Sequence, residues 1–138
     1  MAITALTSAT FQDAVTKPGV LLVDFWASWC PPCSMFSPVF EAASDKHEDI
    51  FFGTVDTDAE EELFAQMQLA GIPALMVFRD GILVFDQAGA LPAHVLEQVI
   101  EAVRTLDMDE VRALLAEQDA AEEEPAEEES AEAESAQA

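Results

Sequence analysis

Basic residues are scarce in this chain. Five Lys and Arg stand against 28 Asp and Glu among 138 residues, which gives a formal net charge of −23. Proteins bind nucleic-acid phosphates and anionic lipid headgroups mainly through Lys and Arg, so a surface of this sign repels both. The composition therefore argues against nucleic-acid binding and against binding to an anionic membrane surface.

Long apolar runs are also missing. The longest covers residues 20–23 and, after Asp24, residues 25–27, whereas a membrane-spanning helix needs ~20 apolar residues. The segment before Lys17 has no basic residue and no long apolar stretch, so it does not resemble a secretory signal. We therefore expect a cytoplasmic protein with no attachment to a membrane.

Cysteine and histidine are limited to two residues each, which restricts the possible metal sites. A zinc site needs about four ligands, usually from two cysteine pairs or from one pair and nearby histidines. Besides Cys30 and Cys33, the chain offers only His47 and His94, which lie on different predicted elements without ligand spacing. We therefore predict no metal site.

A structural disulfide between Cys30 and Cys33 would close a very short loop and stabilise the fold weakly, so a reactive dithiol is the favoured interpretation.

The hydrophobic pattern predicts alternating helices and strands. Hydrophobic residues make up 51% of the chain, enough for one packed domain of this length. The first predicted elements are a short helix capped by Thr7 and Ser8, a buried strand at 20–26, and a helix from about 32 to 46 that Pro38 should kink. A strand at 50–58, a helix begun by Asp58 and a hairpin turning at Asp80-Gly81 follow. The last elements are an amphipathic helix at 91–104 and a short helix at about 107–117 with a capping box of Asp107 and Glu110. This order indicates an α/β domain with a mixed sheet flanked by helices.

The last residues have a different composition. From Glu117 onward the chain consists almost entirely of Ala, Glu, Ser, Gln and Asp, with one Pro and no aromatic or basic residue. Such a segment has too little apolar surface to offset the entropy of ordering it. We therefore predict a domain over residues 1–117 and a disordered acidic tail over residues 118–138.

The two cysteines lie where a buried strand gives way to a helix, in the stretch "WCPPC". Free N–H groups and the helix dipole at a helix start favour an anion, so the pKa of the Cys30 thiol should be lowered. Cys33 follows one turn later on the same face, where it can attack a mixed disulfide formed at Cys30. Pro32 suits the first helical turn because its missing N–H is not needed there.

These motifs resemble those of the thioredoxin family. The resemblance covers about residues 7–106 and rests on "VDFWASWCPPC", "FFGTVDTD", "GIPALMVFRDG" and "GAL" at 89–91. It implies a thioredoxin fold and a thiol–disulfide oxidoreductase that reduces protein disulfides, with Cys30 as the attacking cysteine and Cys33 as the resolving one. It also implies a monomer that binds no cofactor and is re-reduced by a thioredoxin reductase, a flavin enzyme that draws on NADPH.

Asp24 interrupts the apolar strand six residues before Cys30. A carboxyl group is rarely buried without a partner, because its charged form loses hydration. It is either a core polar residue whose hydrogen bonds are satisfied or a carboxyl with a raised pKa that exchanges a proton with Cys33. The resemblance implies the second role. The family often pairs this Asp with a lysine on the next strand, and Thr54 stands at the matching position here, so the pKa of Asp24 should rise further.

The resemblance also implies a surface that binds substrates. It makes Ile72-Pro73 a cis peptide bond facing the dithiol, with the Ile72 backbone pairing with an extended substrate segment; an X–Pro bond in general is cis only about 5–6% of the time. The remaining predicted contact residues are Trp29, Gly71, Gly89 and Ala90. Trp26 is expected to be partly a core residue, and Met35, Met67 and Met76 fit core spacing.

Pro31 is the main departure from the family, in which most members have Gly at this position. It removes an N–H near the Cys30 sulfur and stiffens the loop, so Pro31 and Pro32 are expected to tune the redox potential.

Two alternatives for the function of the protein remain open. One is an extracytoplasmic reductant for cytochrome maturation, and the other is a chaperone-like binding module with the same fold.

Overall fold

The computed structural model describes residues 3–118 of the chain. The described residues up to Arg104 form one compact unit, and those from Thr105 onward form another. The elements of the first unit are β1 (Ile3–Ala5), α1 (Phe11–Thr16), β2 (Val20–Trp26), α2 (Pro31–Lys46), β3 (Phe51–Asp56), α3 (Glu61–Met67), β4 (Ala74–Arg79), β5 (Ile82–Ala88) and α4 (Ala93–Arg104). None of the helices within residues 3–118 is long and apolar enough to cross a bilayer.

The strands form one five-stranded mixed sheet in the order β1-β3-β2-β4-β5. Strands β1, β3 and β2 are parallel to one another, whereas β4 runs antiparallel to both β2 and β5. Asp80 and Gly81 both have positive φ, as a two-residue hairpin turn between β4 and β5 requires. The predicted α/β class, the mixed sheet and this hairpin are confirmed.

The alternation of side chains along β2 divides the core between the two faces of the sheet. Leu21, Val23 and Phe25 pack on the face covered by α1 and α3. Leu22 packs on the opposite face, against α2 and α4. Asp24 has the same parity as Leu22, so the alternation directs its side chain toward the α2 face.

Several predicted boundaries differ from the observed ones. Helix α1 begins at Phe11 after a turn in which Thr10 Oγ1 accepts from Thr7 N–H, so Thr7 and Ser8 do not cap it. Helix α3 begins at Glu61 rather than at Asp58, because the Asp56 carboxylate holds residues 58 and 59 in a turn before the helix. Strand β1 has no counterpart among the predicted elements.

Helix α2 runs through Pro38 as one helix of 16 residues and buries Cys33, Phe36, Phe40 and Ala43. Met35 lies off this face and is 73% exposed, so its predicted place in the core is wrong. The residue is a large apolar side chain on the surface, in the helical turn that begins with the dithiol.

Residues 108–118 are helical and form α5 within the second unit. Asp107 Oδ1 accepts hydrogen bonds from the N–H groups of Asp109 and Glu110, which is the N-cap half of the predicted capping box. The predicted disordered tail, apart from residue 118, lies outside the described residues.

Candidate active site

Cys30 and Cys33 form a disulfide at the N-terminus of α2. Cys30 is the N-cap residue with extended backbone angles, and Pro31 and Pro32 occupy the exposed first turn after it. Cys33 completes that turn, which places the two Cα atoms 5.3 Å apart. The turn geometry thus holds both sulfur atoms at the end of α2 that follows the buried strand β2.

The helix start directs a donor at the Cys30 sulfur. The backbone N–H of Cys33 lies 3.2 Å from Cys30 Sγ. This N–H belongs to the first turn of α2, where backbone donors have no partner within the helix. A thiolate at Cys30 would therefore receive a charge-assisted hydrogen bond together with the positive end of the helix dipole.

The disulfide lies in a small apolar cluster. Both cysteines are almost fully buried, with 4% of Cys30 and 2% of Cys33 exposed. Ala27 packs with them, and the half-buried side chains of Trp26 and Ile72 lie against the cluster. Trp29, by contrast, is 66% exposed, and its indole N–H donates to Asp58 Oδ1 at 3.2 Å. The site therefore combines a shielded disulfide with an exposed aromatic side chain beside it.

The loop before β4 faces the disulfide. The Ile72-Pro73 peptide bond is cis, and the carbonyl oxygen of Ile72 lies 3.7 Å from Cys30 Sγ. Gly89 N–H donates to the carbonyl oxygen of Pro73 at 2.7 Å, with Gly89 at φ +107°, a backbone conformation that favours glycine. This bond brings exposed Gly89 and Ala90 next to the Pro73 loop, in which Gly71 is half-buried.

Among residues 3–118, Asp24 is the one Asp, Glu, Lys or Arg side chain that is fully buried. Only 2% of it is exposed, and burial raises the pKa of its carboxyl group to about 7. Among residues 3–118, no group donates a hydrogen bond to Asp24 Oδ1. Asp24 lies opposite Thr54 in the β2–β3 register, as the sequence predicted, so no lysine from β3 pairs with it. This carboxyl can therefore gain and lose a proton near neutral pH.

A cavity of about 350 Å³ lies beside Asp24. Its walls come from β1, β2, α2 and β3, and the lining residues are Ile3, Asp24, Trp26, Ser37, Phe40, Glu41 and Thr54. Trp26 lines this cavity and also packs against the cysteine cluster, so it lies between the two. Ser37 and Glu41 were not predicted as site residues, although they follow Cys33 at successive helical spacings of four residues.

The histidines lie away from the dithiol. His47 Nε2 is 2.7 Å from a Glu97 carboxylate oxygen, and His47 Nδ1 is 2.9 Å from an Arg104 nitrogen. His94 is exposed near the start of α4. In the part of the chain that the structure describes, no group of three or more His, Cys, Asp or Glu side chains is placed to hold a metal ion.

A dithiol pair at the start of a helix, preceded by a buried strand and faced by a cis-proline, defines a thiol–disulfide oxidoreductase site. The family model described as Thioredoxin matches residues 2–102, and the chain belongs to the thioredoxin family. The predicted family, thioredoxin fold and protein-disulfide oxidoreductase activity are confirmed.

Curated proteins and solved structures agree with this assignment. The chain is 48% identical to "Putative thioredoxin 2" of Streptomyces coelicolor over 83% of this chain and 86% of that protein. It is 39% identical to a Staphylococcus aureus thioredoxin over 73% of this chain and 97% of the relative. The structure of a mutant thioredoxin from Halobacterium salinarum superposes with a TM-score of 0.70 at 28% identity, covering 76% of this chain and 93% of that one.

Proposed function

We propose that this chain reduces protein disulfides, with Cys30 as the nucleophile. The observation that supports this role is the Cys33 N–H group, 3.2 Å from Cys30 Sγ. Within residues 3–118 no comparable N–H donor lies at the Cys33 sulfur. In the reduced protein the Cys30 thiolate attacks a substrate disulfide, forms a mixed disulfide and releases one substrate thiolate.

Cys33 then resolves the mixed disulfide. Its thiol loses a proton and attacks Cys30 Sγ, which forms the Cys30–Cys33 disulfide and releases the second substrate thiolate. Asp24 accepts the Cys33 proton in this step. A buried carboxyl with a pKa of about 7 suits this role, because a proton carrier works best when its pKa is near the working pH.

The docking surface consists of Trp29, Gly71, Ile72, Pro73, Gly89 and Ala90. The 3.7 Å contact of the Ile72 carbonyl oxygen with Cys30 Sγ supports a pairing of this backbone with an extended substrate segment beside the reacting sulfur. Gly71 and Gly89 lack side chains that would hold that segment away. Backbone pairing gives affinity with little dependence on substrate sequence.

The proposed cycle is completed by a partner. A thioredoxin reductase, a flavin enzyme that uses NADPH, returns the disulfide to the dithiol in the cytoplasm, and the chain acts as a monomer without a bound cofactor of its own. Pro31 and Pro32 stiffen the turn that carries both sulfurs and so tune the reduction potential. A small effect on that potential matters, because about 30 mV corresponds to a tenfold change in the equilibrium constant.

The test is insulin reduction with NADPH and a thioredoxin reductase. We expect turnover well above that of the reductase alone for the wild-type chain and none above it for Cys30→Ser or Cys33→Ser. Wild-type turnover no faster than the reductase alone would exclude this function.

A further inference from the structure

The cavity beside Asp24 is lined from the side of β2 opposite to the loops that contain Pro73 and Gly89. Asp24 lies on the central strand β2, and the cavity is lined from β3 and β1 on one side of it. The docking segments are attached to the other side, since Pro73 leads into β4 and Gly89 follows β5. A substrate segment that pairs with these two loops therefore lies toward β4 and β5, whereas the cavity is lined from β1 and β3; Trp29, which bonds Asp58 after β3, is the docking residue on the cavity side.

The cavity is lined by polar groups along one face of α2. Cys33, Ser37 and Glu41 succeed one another at intervals of four residues, so they share this face. Ser37 Oγ donates to the Cys33 carbonyl oxygen at 3.1 Å, which fixes the hydroxyl at the cavity wall. Glu41 is exposed to solvent, whereas Asp24 is buried. The cavity wall thus includes both a buried carboxyl group and an exposed one.

The size and lining of the cavity suit water. A water molecule occupies about 30 Å³ of liquid and needs two to four polar partners to be held inside a protein. The cavity of about 350 Å³ offers Asp24 Oδ1, the hydroxyls of Ser37 and Thr54, and the Glu41 carboxylate. A lysine at position 54 would fill part of this space, whereas Thr54 leaves it to solvent.

We propose that this cavity is the proton route of Asp24, through which water oriented by Glu41 conducts the proton to bulk solvent while a protein substrate covers the disulfide. The proposal rests on the proposed function, in which Asp24 takes the Cys33 proton. Glu41 is a positioning residue that orients the water and touches neither substrate nor sulfur. Cys30 loses one proton when it ionises and the Cys33 proton leaves through the cavity; the two substrate thiolates each take up one proton from solvent, so the overall reaction consumes none.

Among the residues that line the cavity, Glu41 is the exposed ionisable side chain. Helix α2 contributes the thiols of Cys30 and Cys33 and the Glu41 carboxylate. The neighbours of Asp24 on β3 and β4, Thr54 and Leu75, do not titrate near neutral pH, and neither does Ile3 on β1. No residue that lines the cavity is basic.

The experiment is single-turnover oxidation of the reduced protein, followed by tryptophan fluorescence in weak buffer about one pH unit below the Asp24 pKa of about 7. At that pH most of the Asp24 carboxyl groups are protonated, so Asp24 must release a proton before it can take one from Cys33. The oxidants are excess insulin, which covers the docking surface, and a small aromatic disulfide, which does not. The variants are Glu41→Gln and Thr54→Leu, which obstructs the cavity, with exposed Glu48→Gln as the charge-matched control and Asp24→Asn as the reference.

With insulin, we expect Glu41→Gln to be slower than Glu48→Gln by about fivefold, less than the ~10²-fold or more typical of a directly acting acid–base group. Added imidazole should restore Glu41→Gln, because it can enter the cavity and carry the proton, but should not restore Thr54→Leu. With the small disulfide, Glu41→Gln and Thr54→Leu should both match the wild type.

Two results would overturn the route. One is a Glu41→Gln rate equal to that of Glu48→Gln with insulin. The other is an equal slowing with both oxidants that imidazole does not relieve, since this would show a structural effect. If Asp24→Asn is as fast as the wild type, the proton role of Asp24 in the proposed function fails, and the route fails with it.

Discussion

Asp24 is the residue whose environment differs most from the one its side chain prefers. It is 2% exposed on a strand between Val23 and Phe25, which are completely buried, and Oδ1 receives no hydrogen bond from residues 3–118. A structural polar residue in such a place is normally satisfied by a partner. The chain therefore tolerates a destabilising group at the position that the proposed chemistry requires.

The pH dependence of stability tests this at the residue scale. The pKa of Asp24 is raised from 3.8 to about 7 in the folded state, so the folded protein binds a proton more tightly than the unfolded chain. The stability that the protonated Asp24 carboxyl contributes is complete below pH 4 and is lost as the pH rises to about 7. At one pKa unit per about 1.4 kcal/mol, the loss is about 4 kcal/mol at most.

We therefore expect Asp24→Asn to gain stability relative to the wild type by a few kcal/mol more at pH 8 than at pH 4. Urea denaturation at both pH values measures this difference. A variant whose stability relative to the wild type is the same at both pH values would show that the carboxyl has an ordinary pKa.

Trp29 allows a second test at this scale. Its indole ring is 66% exposed beside the dithiol, and a large exposed aromatic side chain often contributes to an interface. Trp29→Ala should raise KM for insulin by about tenfold, which corresponds to ~1.4 kcal/mol of lost contact. Its reaction rate with a small aromatic disulfide, which needs no docking surface, should stay near that of the wild type. Equal losses with both oxidants would contradict a docking role.

Single residues were predictable from the sequence where one strong rule decided their environment. The position of Thr54 opposite Asp24 followed from the resemblance and is observed in the strand register. The prediction for Met35 is wrong because residues 35, 36, 39 and 40 form a broad apolar stripe, of which Phe36 and Phe40 alone are fully buried. The missing donor at Asp24 Oδ1 and the cavity depend on side chains from four elements, which no local pattern records.

At the scale of elements, the site depends on the passage from β2 to α2. Strand β2 is buried on both faces, so its direction is set by packing rather than by the loop after it. Residues 27–30 then connect it to a helix whose first two positions are prolines, where no N–H is needed. This passage was predicted from the sequence, because a long apolar run, a turn and an amphipathic helix each have a distinct pattern.

Strand β1 was not predictable in the same way. It has three residues, and only Ile3 is even half-buried. Its pairing with β3, which aligns Thr4 with Gly53, is a contact between distant parts of the chain. The same limit applies to the start of α3, which is set by a turn around the Asp56 carboxylate rather than by helix propensity.

Gly53 on β3 provides a test of how closely these elements pack. A Cβ atom at this position would lie 2.6 Å from Leu6 Cδ1, so Gly53→Ala forces the buried Leu6 side chain to move. We expect a loss of about 1–3 kcal/mol in the free energy of unfolding, as for other overpacked cores.

Gly71→Ala is the matched control, because a Cβ atom there would meet nothing within 4 Å and the backbone needs no positive φ. Urea denaturation of both variants decides the question. Equal stability of Gly53→Ala and Gly71→Ala would mean that the contact between Leu6 and β3 is looser than described.

At the scale of the whole molecule, charge is the dominant feature. The net charge of −23 leaves few cations, and two of the five basic residues serve the packing of α4. The Arg79 side chain donates to the carbonyl oxygens of Val103 and Arg104, and Arg104 binds both carboxylate oxygens of Asp49. The Arg104 guanidinium holds the pKa of Asp49 at about 2, so this ion pair persists down to acidic pH.

The charge should steer substrates to the protein. We expect kcat/KM for a disulfide peptide flanked by lysines to fall by about tenfold between low and physiological ionic strength, because salt screens the attraction. The same peptide flanked by glutamates should react faster as salt is added. Stopped-flow kinetics with both peptides measure the effect, and rates that change equally with salt for both would show that the net charge does not act on association.

The roles of the two cysteines are the central claim, and trapping the mixed disulfide tests them most directly. Cys33→Ser should remain covalently attached to an oxidised protein substrate through Cys30, because nothing resolves the bond, and intact-mass spectrometry would detect the adduct. Cys30→Ser should form little adduct under the same conditions, since Cys33 lacks the N–H donor that lies 3.2 Å from Cys30 Sγ. An adduct on Cys30→Ser that forms as fast as that on Cys33→Ser would contradict the assignment of Cys30 as the nucleophile.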